Sequence, residues 1–494
     1  MSQIVHINAE DNVVVAISPI AKGAEVVTDA GVIVALEDVP QGHKLAVCDI
    51  AEGEGILKYG YPIGHATTAI SKGSWVHTHN MRTNLSGEEV YTYNPKDCGL
   101  APKETASFQG FVRKDGKVGI RNEVWIIPTV GCVNDVANAL AAGCKDLLSG
   151  TTVDGIYAYT HPFGCSQTGA DHAQTRKLLA SLVHHPNAGA VLVLSLGCEN
   201  LTHEQFVEEL GEFDSERVRF LTCQEVEDEM ESGHKLIEEC VAYAGQFKRE
   251  TVGADKLIVG LKCGASDGLS GITANPTVGR LSDLLIAQGG STILTEVPEM
   301  FGAEGMLMDR CVTAEVFHKA EQMLNGFKDY FLSHNEVVYE NPSPGNKKGG
   351  ITTLEDKSCG CVQKGGKAPI VDVIGYAERV KEQGLTMLYG PGNDLVSSTA
   401  LTAAGAHMIL FTTGRGTPFG APAPTLKIAS NTQMATKKKG WIDFNAGTVA
   451  TGESLDSAGE RLLELVLATA SGKLAKNEEN GFRGISIFKG GVCL

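Results

Sequence analysis

Several features are scarce in this sequence of 494 residues. No apolar run is long enough to span a bilayer, and the first residues lack the basic and apolar regions of a secretory signal. Basic residues number 42 against 59 acidic ones, for a formal net charge of -17. A nucleic-acid partner requires clustered Lys and Arg, so this balance argues against one. We therefore expect a cytoplasmic protein without a membrane or nucleic-acid partner.

Common cofactor motifs are missing as well. The Gly-rich turn around Arg415 is neither a Walker loop nor a Gly-x-Gly-x-x-Gly fingerprint, so we expect no nucleotide cofactor. The 13 cysteines are too sparse for a secreted disulfide scaffold. Those at the predicted strand ends do not form the close pairs of zinc fingers or ferredoxins. We expect reduced thiols, some of which bind a metal.

The order of the sequence patterns predicts a small β domain followed by α/β structure. Residues 1–93 carry short alternating segments typical of an all-β domain, and residues 94–107 form a polar linker with two prolines. Strands then alternate with helices. A Pro- and Gly-rich break near residue 345 divides this part into lobes 108–345 and 346–494. We predict two Rossmann-like α/β lobes with largely parallel sheets.

Three predicted strands end in the same pair, Gly-Cys, and recur every 33 residues, at Cys132, Cys165 and Cys198. A fourth strand end carries Cys263. The carboxyl ends of parallel strands share one edge, so these thiols could meet around a single pocket. Thiolates there suit iron, manganese or zinc. For any one cysteine, a small apolar core residue is the more common interpretation.

A His-x-His pair, His77 and His79, falls on a probable strand of the N-terminal domain. Alternate residues of a strand project from one face, so the two imidazoles could share a divalent ion. The alternative is that they are surface residues or polar partners at a domain contact.

Candidate acids and bases follow predicted strands or lie in turns. They are His161, Glu199, Asp267, Glu296, Glu299 and Glu304. Most carboxylates of so acidic a chain are simply solvated.

Cations near strand ends are scarcer and more informative. Arg121, Lys262, Arg415 and Lys427 could together hold a carboxylate and hydroxyl groups through charge-assisted hydrogen bonds. Residues 341–350 could form a mobile lid in which Asn346 and Lys347 close over an anion. An exposed connector would explain the same composition.

Long motifs occur along the whole chain. They include WVHTHNMRTNLS, GIRNEVWIIPTVGCVN, HPFGCSQ, SLGCEN, CGASDGLSGITANP, TEVPEMFGAE, YENPSPGNKKGGITTLEDKS, TTGRGTPFG and WIDFNAG. In these stretches the chain resembles the altronate/galactarate dehydratase family. The family pattern Cys-Gly-Gly-Ser-Asp differs here at Ala265. The His-Thr-His segment favours the altronate branch.

The resemblance implies a β-clip (SAF-type) N-terminal domain and an iron- or manganese-dependent hydro-lyase acting on a small sugar acid. For D-altronate the products would be 2-dehydro-3-deoxy-D-gluconate and water. On this hypothesis Fe²⁺ or Mn²⁺ is bound by His77 and His79, or by the cysteine edge instead. Arg415 and Lys427 would grip the carboxylate. Lys262, Glu296 and His161 contend for the role of base.

Other functions stay open on the sequence alone. One is a dehydratase for galactarate or another aldonate or aldarate, or a sulfo-lyase. A second is an iron-sulfur hydro-lyase that uses Cys132, Cys165 and Cys198, and a third is a non-catalytic anion-binding protein. The choice between Fe²⁺ and Mn²⁺, the identity of the base and the oligomeric state, including a homo-oligomer, are also open.

Overall fold

The computed structural model describes residues 3–29, 31–86 and 89–491. Its N-terminal part is all β, as predicted. The strands β1 to β9 are Ile4–Val5, Val13–Ala16, Glu25–Thr28, Gly31–Val34, Lys44–Ala46, Gly55–Lys58, Tyr61–Ala66, Trp75–Val76 and Met81–Arg82. They pair antiparallel in three small sheets of order β1-β2-β5-β8, β3-β4 and β6-β7-β9.

Strand β2 is buried on both faces because the small domain rests on the rest of the chain. Val14 and Ala16 point into the core of the N-terminal domain. Val15 points the other way and packs with Leu269 and Ile272. Successive side chains of a β-strand point to opposite faces, so β2 contributes to two hydrophobic clusters.

An extended segment leads from this domain into a small antiparallel sheet. The described residues 89–106 form no helix or strand. Strands β10 (Ser107–Val112) and β11 (Val118–Gly119) follow, and the sheet is completed by β16 (Arg249–Gly253) in the order β11-β10-β16.

A parallel sheet of four strands comes next. Its strands are β12 (Glu123–Pro128), β13 (Gly155–Ala158), β14 (Ala188–Ser195) and β15 (Val218–Thr222), in the order β13-β12-β14-β15. Helices α1 (Asn134–Gly143), α2 (Gly169–Val183), α3 (His203–Leu210) and α4 (Glu229–Ala244) connect and cover them.

The C-terminal part is built on a second parallel sheet. Its strands are β17 (Ile258–Cys263), β18 (Ser291–Leu294), β19 (Ile370–Ile374), β20 (Leu385–Leu388), β21 (Met408–Thr413), β22 (Thr425–Ala429) and β23 (Phe444–Asn445). The order is β19-β20-β18-β17-β21-β22-β23. Every pairing is parallel, as expected for a doubly wound sheet.

Helices flank this sheet. They are α5 (Ala274–Ile286), α6 (Gly305–Met308), α7 (Ala314–Ser333), α8 (Pro344–Lys348), α9 (Leu354–Cys361), α10 (Asp394–Ala403), α11 (Thr432–Lys437), α12 (Leu455–Ala470) and α13 (Lys476–Glu479). Short 3₁₀ turns cover Gly131–Val133, Lys145–Leu148, Cys223–Glu225, Ala254–Lys256, Val297–Glu299, Val362–Gly365 and Gly447–Thr451. Among the described residues, none of the helices combines the length and apolar character that crossing a membrane requires.

The lobe boundary predicted at residue 345 does not match the sheets. Strands β17 and β18 precede it and β19 to β23 follow it, yet all seven belong to one sheet. The Pro- and Gly-rich segment around residue 345 is an excursion that contains α8, whose N-terminus is capped by Ser343. Its composition reflects a turn over the edge of the sheet. The change from one parallel sheet to the next falls between β15 and β17.

Candidate active site

A buried group of four metal-ligand side chains lies at the carboxyl edge of the seven-stranded sheet. It comprises Cys263, Glu296, Glu299 and Cys361, whose potential ligand atoms all lie within 4.8 Å of one another. We call these residues the donor group. The Sγ atom of Cys263 lies 3.2 Å from Oε2 of Glu299, and that of Cys361 lies 3.4 Å from the same oxygen.

Three separate elements bring the donor group together. Cys263 is the last residue of β17, and Cys361 is the last residue of α9. Glu296 follows β18, the neighbour of β17, and has a left-handed backbone with φ of 71°. This conformation is costly for a non-glycine residue and clusters at functional sites. It turns the chain into the 3₁₀ turn that carries Glu299.

Lysines surround the donor group. Lys262 forms an ion pair with Glu296, and Lys364 lies 3.0 Å from the other oxygen of that carboxylate. Lys357 pairs with Glu299 at 2.9 Å. Lys364 also donates to the Sγ atom of Cys361 at 2.7 Å. The site is therefore a dense buried array of both charges.

This array determines the protonation of its members. Burial opposes ionisation of Glu299, but the charges of Lys357 and Lys262 overcome it and hold its pKa at about 2. Burial likewise opposes the charge on Lys262, but the carboxylates of Glu296 and Asp394 raise its pKa. Burial, together with the neighbouring Cys263, raises the pKa of the Cys361 thiol well above its ordinary value. Glu299 and Lys262 are thus charged while Cys361 keeps its proton.

The charges of this array fit a divalent cation. Lys262, Lys357 and Lys364 are balanced by Glu296, Glu299 and Asp394, which lies 3.0 Å from Lys262. A divalent ion adds two positive charges, and loss of the Cys361 proton on binding would offset one of them, because metal binding and thiol deprotonation are coupled. Thiolate and carboxylate donors together suit iron, manganese or zinc.

Two cavities lie at this edge of the sheet, and the smaller one is at the donor group. A small one of ≈10 Å³ is lined by Cys263, Cys361 and Lys357, which is enough for about one water molecule. A larger one of ≈470 Å³ is lined by the cationic side chains of Lys348, Arg415 and Lys437. Asp267 lines both cavities. The donor group and the cationic cavity thus meet at one carboxylate.

Asp267 is held firmly in this position. Its Oδ1 atom accepts hydrogen bonds from the hydroxyls of Ser270 at 2.9 Å and Ser430 at 2.8 Å, and its Oδ2 atom accepts one from Asn431 at 3.1 Å. Gly414 leaves the necessary space, because a Cβ atom there would lie 2.4 Å from the carboxyl carbon of Asp267. The carboxylate is ordered before any ligand binds.

A cleft of ≈490 Å³ beside Cys98 and Arg310 is slightly larger than the cationic cavity. Two still larger clefts, of ≈540 and ≈550 Å³, lie elsewhere. The second is lined by Ile258, Ser291 and His407, which stand at the amino ends of β17, β18 and β21. Ligands of open parallel sheets bind at the carboxyl ends instead. Neither cleft is lined by a predicted site residue. The smaller cavities at the opposite edge are therefore the candidate site.

Several predicted site residues do come together at this edge. Lys262 and Glu296 belong to the array around the donor group, and Asp267 and Arg415 line the cationic cavity. Arg415 is exposed and donates to the carbonyl of Gly345 at 3.2 Å. Asn346 is buried in α8 and donates to the carbonyl of Ser266 at 2.9 Å, which anchors the loop beside Asp267.

Other predicted residues are used elsewhere in the fold. Arg121 is buried and its guanidinium pairs with Glu478 at 2.8 Å, which secures α13. Lys427 is buried within β22 and donates to the carbonyl of Phe419, and burial lowers its pKa to about 8. Lys347 is half-buried on α8 and is not among the lining residues of either cavity. The side chains of Arg121 and Lys427 therefore already donate hydrogen bonds within the protein.

His161 belongs to the four-stranded sheet and not to the seven-stranded one. Its Nε2 atom pairs with the carbonyl of Pro128 at 2.8 Å, and its Nδ1 atom accepts from the backbone of Phe163 at 3.2 Å. Burial lowers its pKa to about 4. The ring is a neutral link between two strand-end loops.

His77 and His79 were predicted on one face of a strand, but they lie after its end. Strand β8 ends at Val76, and His77 and His79 occupy the turn that follows. His77 is buried and its Nδ1 atom lies 2.9 Å from the hydroxyl of Thr352, whereas His79 is exposed. Both rings contact the indole of Trp75, and neither residue belongs to the donor group.

The strand-end cysteines are divided between the two sheets. Cys132, Cys165 and Cys198 follow β12, β13 and β14 and are exposed, whereas Cys263 ends β17 and is buried. The expected meeting of all four at one pocket is therefore wrong. Strand order, which decides which edges coincide, was not visible in the sequence.

Cys361, Lys357 and Lys364 escaped the sequence-based prediction. In the segment LEDKSCGCVQK, Lys357, Cys361 and Lys364 stand at positions i, i+4 and i+7, the spacing that places residues on one face of a helix. The same helix begins against the N-terminal domain, where Asp356 pairs with Lys44 at 2.7 Å and Lys58 at 2.9 Å. Helix α9 therefore links the small β domain to the donor group.

Comparison with known proteins agrees with this architecture. Three family models match: "Altronate/galactarate dehydratase SAF domain" over residues 2–84, "D-galactarate dehydratase/Altronate hydrolase, second domain" over 110–245, and "D-galactarate/Altronate dehydratase, C-terminal" over 254–493. The altronate dehydratase of Escherichia coli (strain K12) is 50% identical, with 100% of both chains aligned. That of Bacillus subtilis (strain 168) is 49% identical, again over 100% of both chains. The galactarate dehydratase (L-threo-forming) of Escherichia coli is 34% identical over 89% of this chain and 87% of its own. The chain belongs to the altronate/galactarate dehydratase family.

Proposed function

We propose that this protein is a metal-dependent hydro-lyase that converts D-altronate into 2-dehydro-3-deoxy-D-gluconate and water. The observation that carries the proposal is the position of Asp267, which lines both the cationic cavity and the small cavity at the donor group. The chain is 50% and 49% identical to two altronate dehydratases over their full length, which supports altronate over other sugar acids.

The cationic cavity supplies the binding site for the substrate carboxylate. Arg415, Lys348 and Lys437 place three positive side chains around ≈470 Å³ of space in an otherwise acidic protein. Arg415 is exposed, and its guanidinium donates one hydrogen bond among those described, to the carbonyl of Gly345, so it retains donors for a carboxylate. The flanking Gly414 and Gly416 let a ligand approach the backbone closely.

The donor group is the proposed metal site. The site would hold Fe²⁺ or Mn²⁺ through Cys263, Glu296, Glu299 and Cys361. The ion would stabilise, by several kcal/mol, the negative charge that develops beside the substrate carboxylate. The surrounding lysines pair with both carboxylates in the buried interior, and they keep Glu299 ionised. They also hold each side chain in place before a ligand arrives.

Two groups between the cationic cavity and the donor group carry the proton transfers: Asp267, which lines both cavities, and Lys357, which pairs with Glu299. The carboxylate of Asp267 accepts the proton from C2 of the substrate, and the ammonium of Lys357 donates a proton to the hydroxyl that leaves C3 as water. Burial opposes the charge of Lys357, but Glu299 raises its pKa, so it starts as the acid. The resulting enol rearranges to the 2-keto acid, and the proton on Asp267 restores Lys357.

The experiment is to load metal-free protein with Fe²⁺ or Mn²⁺ and to follow keto-acid formation from altronate, galactarate and mannonate. We expect altronate to react fastest and the metal-free protein to be inactive. Asp267→Asn should lower kcat by about 100-fold or more. The matched control is Asp456→Asn, since Asp456 is exposed on α12. Full activity without metal, or no keto acid from any of the three substrates, would refute the proposal.

A further inference from the structure

Three neighbouring strands of the four-stranded sheet each lead into a loop with an exposed, unpaired cysteine. The strands lie side by side in the order β13-β12-β14 and run parallel. Their loops carry Cys165, Cys132 and Cys198 respectively, and all three thiols are free and exposed. They stand at the carboxyl ends of the strands, where ligands of such sheets bind.

Direct hydrogen bonds tie the three loops to one another. The backbone N–H of Gly131 donates to the carbonyl of Phe163 at 2.8 Å, which joins the loop of Cys132 to that of Cys165. The N–H of Leu201 donates to the carbonyl of Gly164 at 3.1 Å, and the N–H of Ser166 donates to the side chain of Asn200 at 2.6 Å. The residues on both sides of Cys165 are therefore fixed to the loop of Cys198.

The glycine before each cysteine makes this close approach possible. Gly164 has φ of +100°, and a Cβ atom there would lie 1.9 Å from the carbonyl oxygen of Thr129. Gly197 has φ of +123°, and a Cβ atom at Gly131 would lie 3.0 Å from the carbonyl oxygen of His161. The Gly-Cys pairs at Gly131 and Gly164 thus reflect loops that are packed together, whereas Gly197 packs against Gln224 after β15.

The carboxylate closest to these thiols in sequence is already used. Glu199 accepts hydrogen bonds from the N–H groups of Leu196 at 3.1 Å and Gly197 at 2.6 Å, and from the hydroxyl of Thr129 at 2.7 Å. It therefore shapes the turn that presents Cys198 and joins it to the loop after β12. The three exposed thiols stay available to a ligand.

The kind and number of these donors favour an iron-sulfur cluster. Three thiols stand on neighbouring loops that hydrogen bonds join, and the adjacent carboxylate of Glu199 is already occupied. Thiolates are the protein ligands of iron-sulfur clusters.

We propose that Cys132, Cys165 and Cys198 hold an iron-sulfur cluster, which would be a second centre separate from the donor group. Iron-sulfur clusters are bound by cysteine thiolates, and loops at strand ends let residues distant in sequence share one cluster. Three protein thiolates leave one iron of a four-iron cluster open to water or another oxygen ligand. The proposal does not depend on which group removes the substrate proton.

The test is anaerobic reconstitution of the full-length protein with ferrous iron and sulfide, followed by measurement of iron, acid-labile sulfide and visible absorption. We expect the unmodified protein to retain sulfide and a brown colour. Cys132→Ser, Cys165→Ser and Cys198→Ser should each lose most of the bound sulfide. These side chains are exposed, so the variants should fold, which circular dichroism checks.

Two control variants make the result specific. Cys223 follows β15 of the same sheet but packs against the core of this domain, so Cys223→Ser should keep the sulfide. Cys361→Ala should keep it too, since Cys361 belongs to the donor group. Absence of bound sulfide in the unmodified protein, or its retention in all three serine variants, would overturn the proposal. Iron that binds without sulfide and is lost in those variants would also overturn the cluster, in favour of a single ion.

Discussion

The Sγ atoms of Cys263 and Cys361 lie 3.4 Å apart in the protein interior, although 98 residues separate the two cysteines. A disulfide requires about 2.05 Å between its sulfurs, whereas two thiolates on one tetrahedral metal ion lie about 3.8 Å apart. The observed separation is thus close to that of two ligands around one ion. Glu296 and Glu299 complete the set.

Cys361→Ala should abolish binding of Fe²⁺ or Mn²⁺ and with it the dehydratase activity, because it removes one of four donors. The matched control is Cys359→Ala, two residues earlier on α9, since Cys359 is equally buried but packs in the apolar core. Metal content by elemental analysis and keto-acid formation measure the outcome. Equal metal content in both variants would contradict the assignment.

Arg415→Gln should raise KM for altronate by about tenfold to a hundredfold with a smaller effect on kcat. A hydrogen bond to a charged group contributes about 1.5–3 kcal/mol, and each 1.4 kcal/mol is about tenfold in affinity. Lys439→Gln removes an exposed cation outside the cationic cavity and is the control. An unchanged KM in Arg415→Gln would place the substrate carboxylate elsewhere.

Asp356→Asn should destabilise the protein by about 3–5 kcal/mol, because it leaves the buried ammonium groups of Lys44 and Lys58 without their counter-charge. All three side chains are almost completely buried. Chemical denaturation should show this loss of stability. The control is Glu52→Gln, at an exposed position of the same β domain, which should leave the free energy of unfolding unchanged. A loss below about 1 kcal/mol would mean that the domain contact does not depend on this charge cluster.

Acid should destabilise the protein through its buried histidines. Burial lowers the pKa of His185 from 6.5 to about 3, with a smaller effect from His407. The unfolded chain takes up this proton near pH 6.5 while the folded protein resists it, so the stabilisation present above pH 6.5 is lost as the pH falls toward about 3. The loss amounts to about 2 kcal/mol by about pH 5.

His185→Gln should reduce this dependence, measured as the free energy of unfolding at about pH 7.5 and about pH 5. The slope with pH is the readout, so a uniform destabilisation by the substitution does not affect the test. His318→Gln, at an exposed position on α7, should leave the slope unchanged. An unaltered slope in His185→Gln would show that His185 does not resist protonation.

Ala265→Gly should be neutral or stabilising, although Ala to Gly changes usually destabilise. Ala265 has φ of 50°, a left-handed backbone that costs most residues about 1–2 kcal/mol but that glycine adopts readily. The same change at Ala139, exposed in α1, should cost about 1 kcal/mol. A clear loss of stability in Ala265→Gly, measured by thermal unfolding, would contradict this assignment of strain.

Much of the fold was predictable because it depends on local patterns. The short alternating segments before residue 93 form the small β sheets, and strands alternating with helices form two parallel sheets. The boundary at residue 345 was misplaced because a Pro- and Gly-rich turn over a site has the same composition as a linker. Composition reports backbone flexibility and does not report which strands pair.

The candidate site was predictable only in part. Lys262, Glu296 and Asp267 were found because polar residues just after buried strands mark the edge of a sheet. Cys361 was missed because it reaches the site from a helix. Arg121 was predicted to bind the substrate because its actual partner, Glu478, is distant in sequence. The ligand roles predicted for His77, His79 and the three exposed cysteines stay predictions.

The sequence by itself determined the class of this protein: its alternating patterns specify strands and helices, and its long motifs specify the family. Only the tertiary structure decided which of the many cysteines, carboxylates and lysines share a site. Hydrophobic periodicity acts over a few residues, whereas the meeting of Cys263 with Cys361 depends on strand order and on the docking of α9. Those are properties of the whole packed chain.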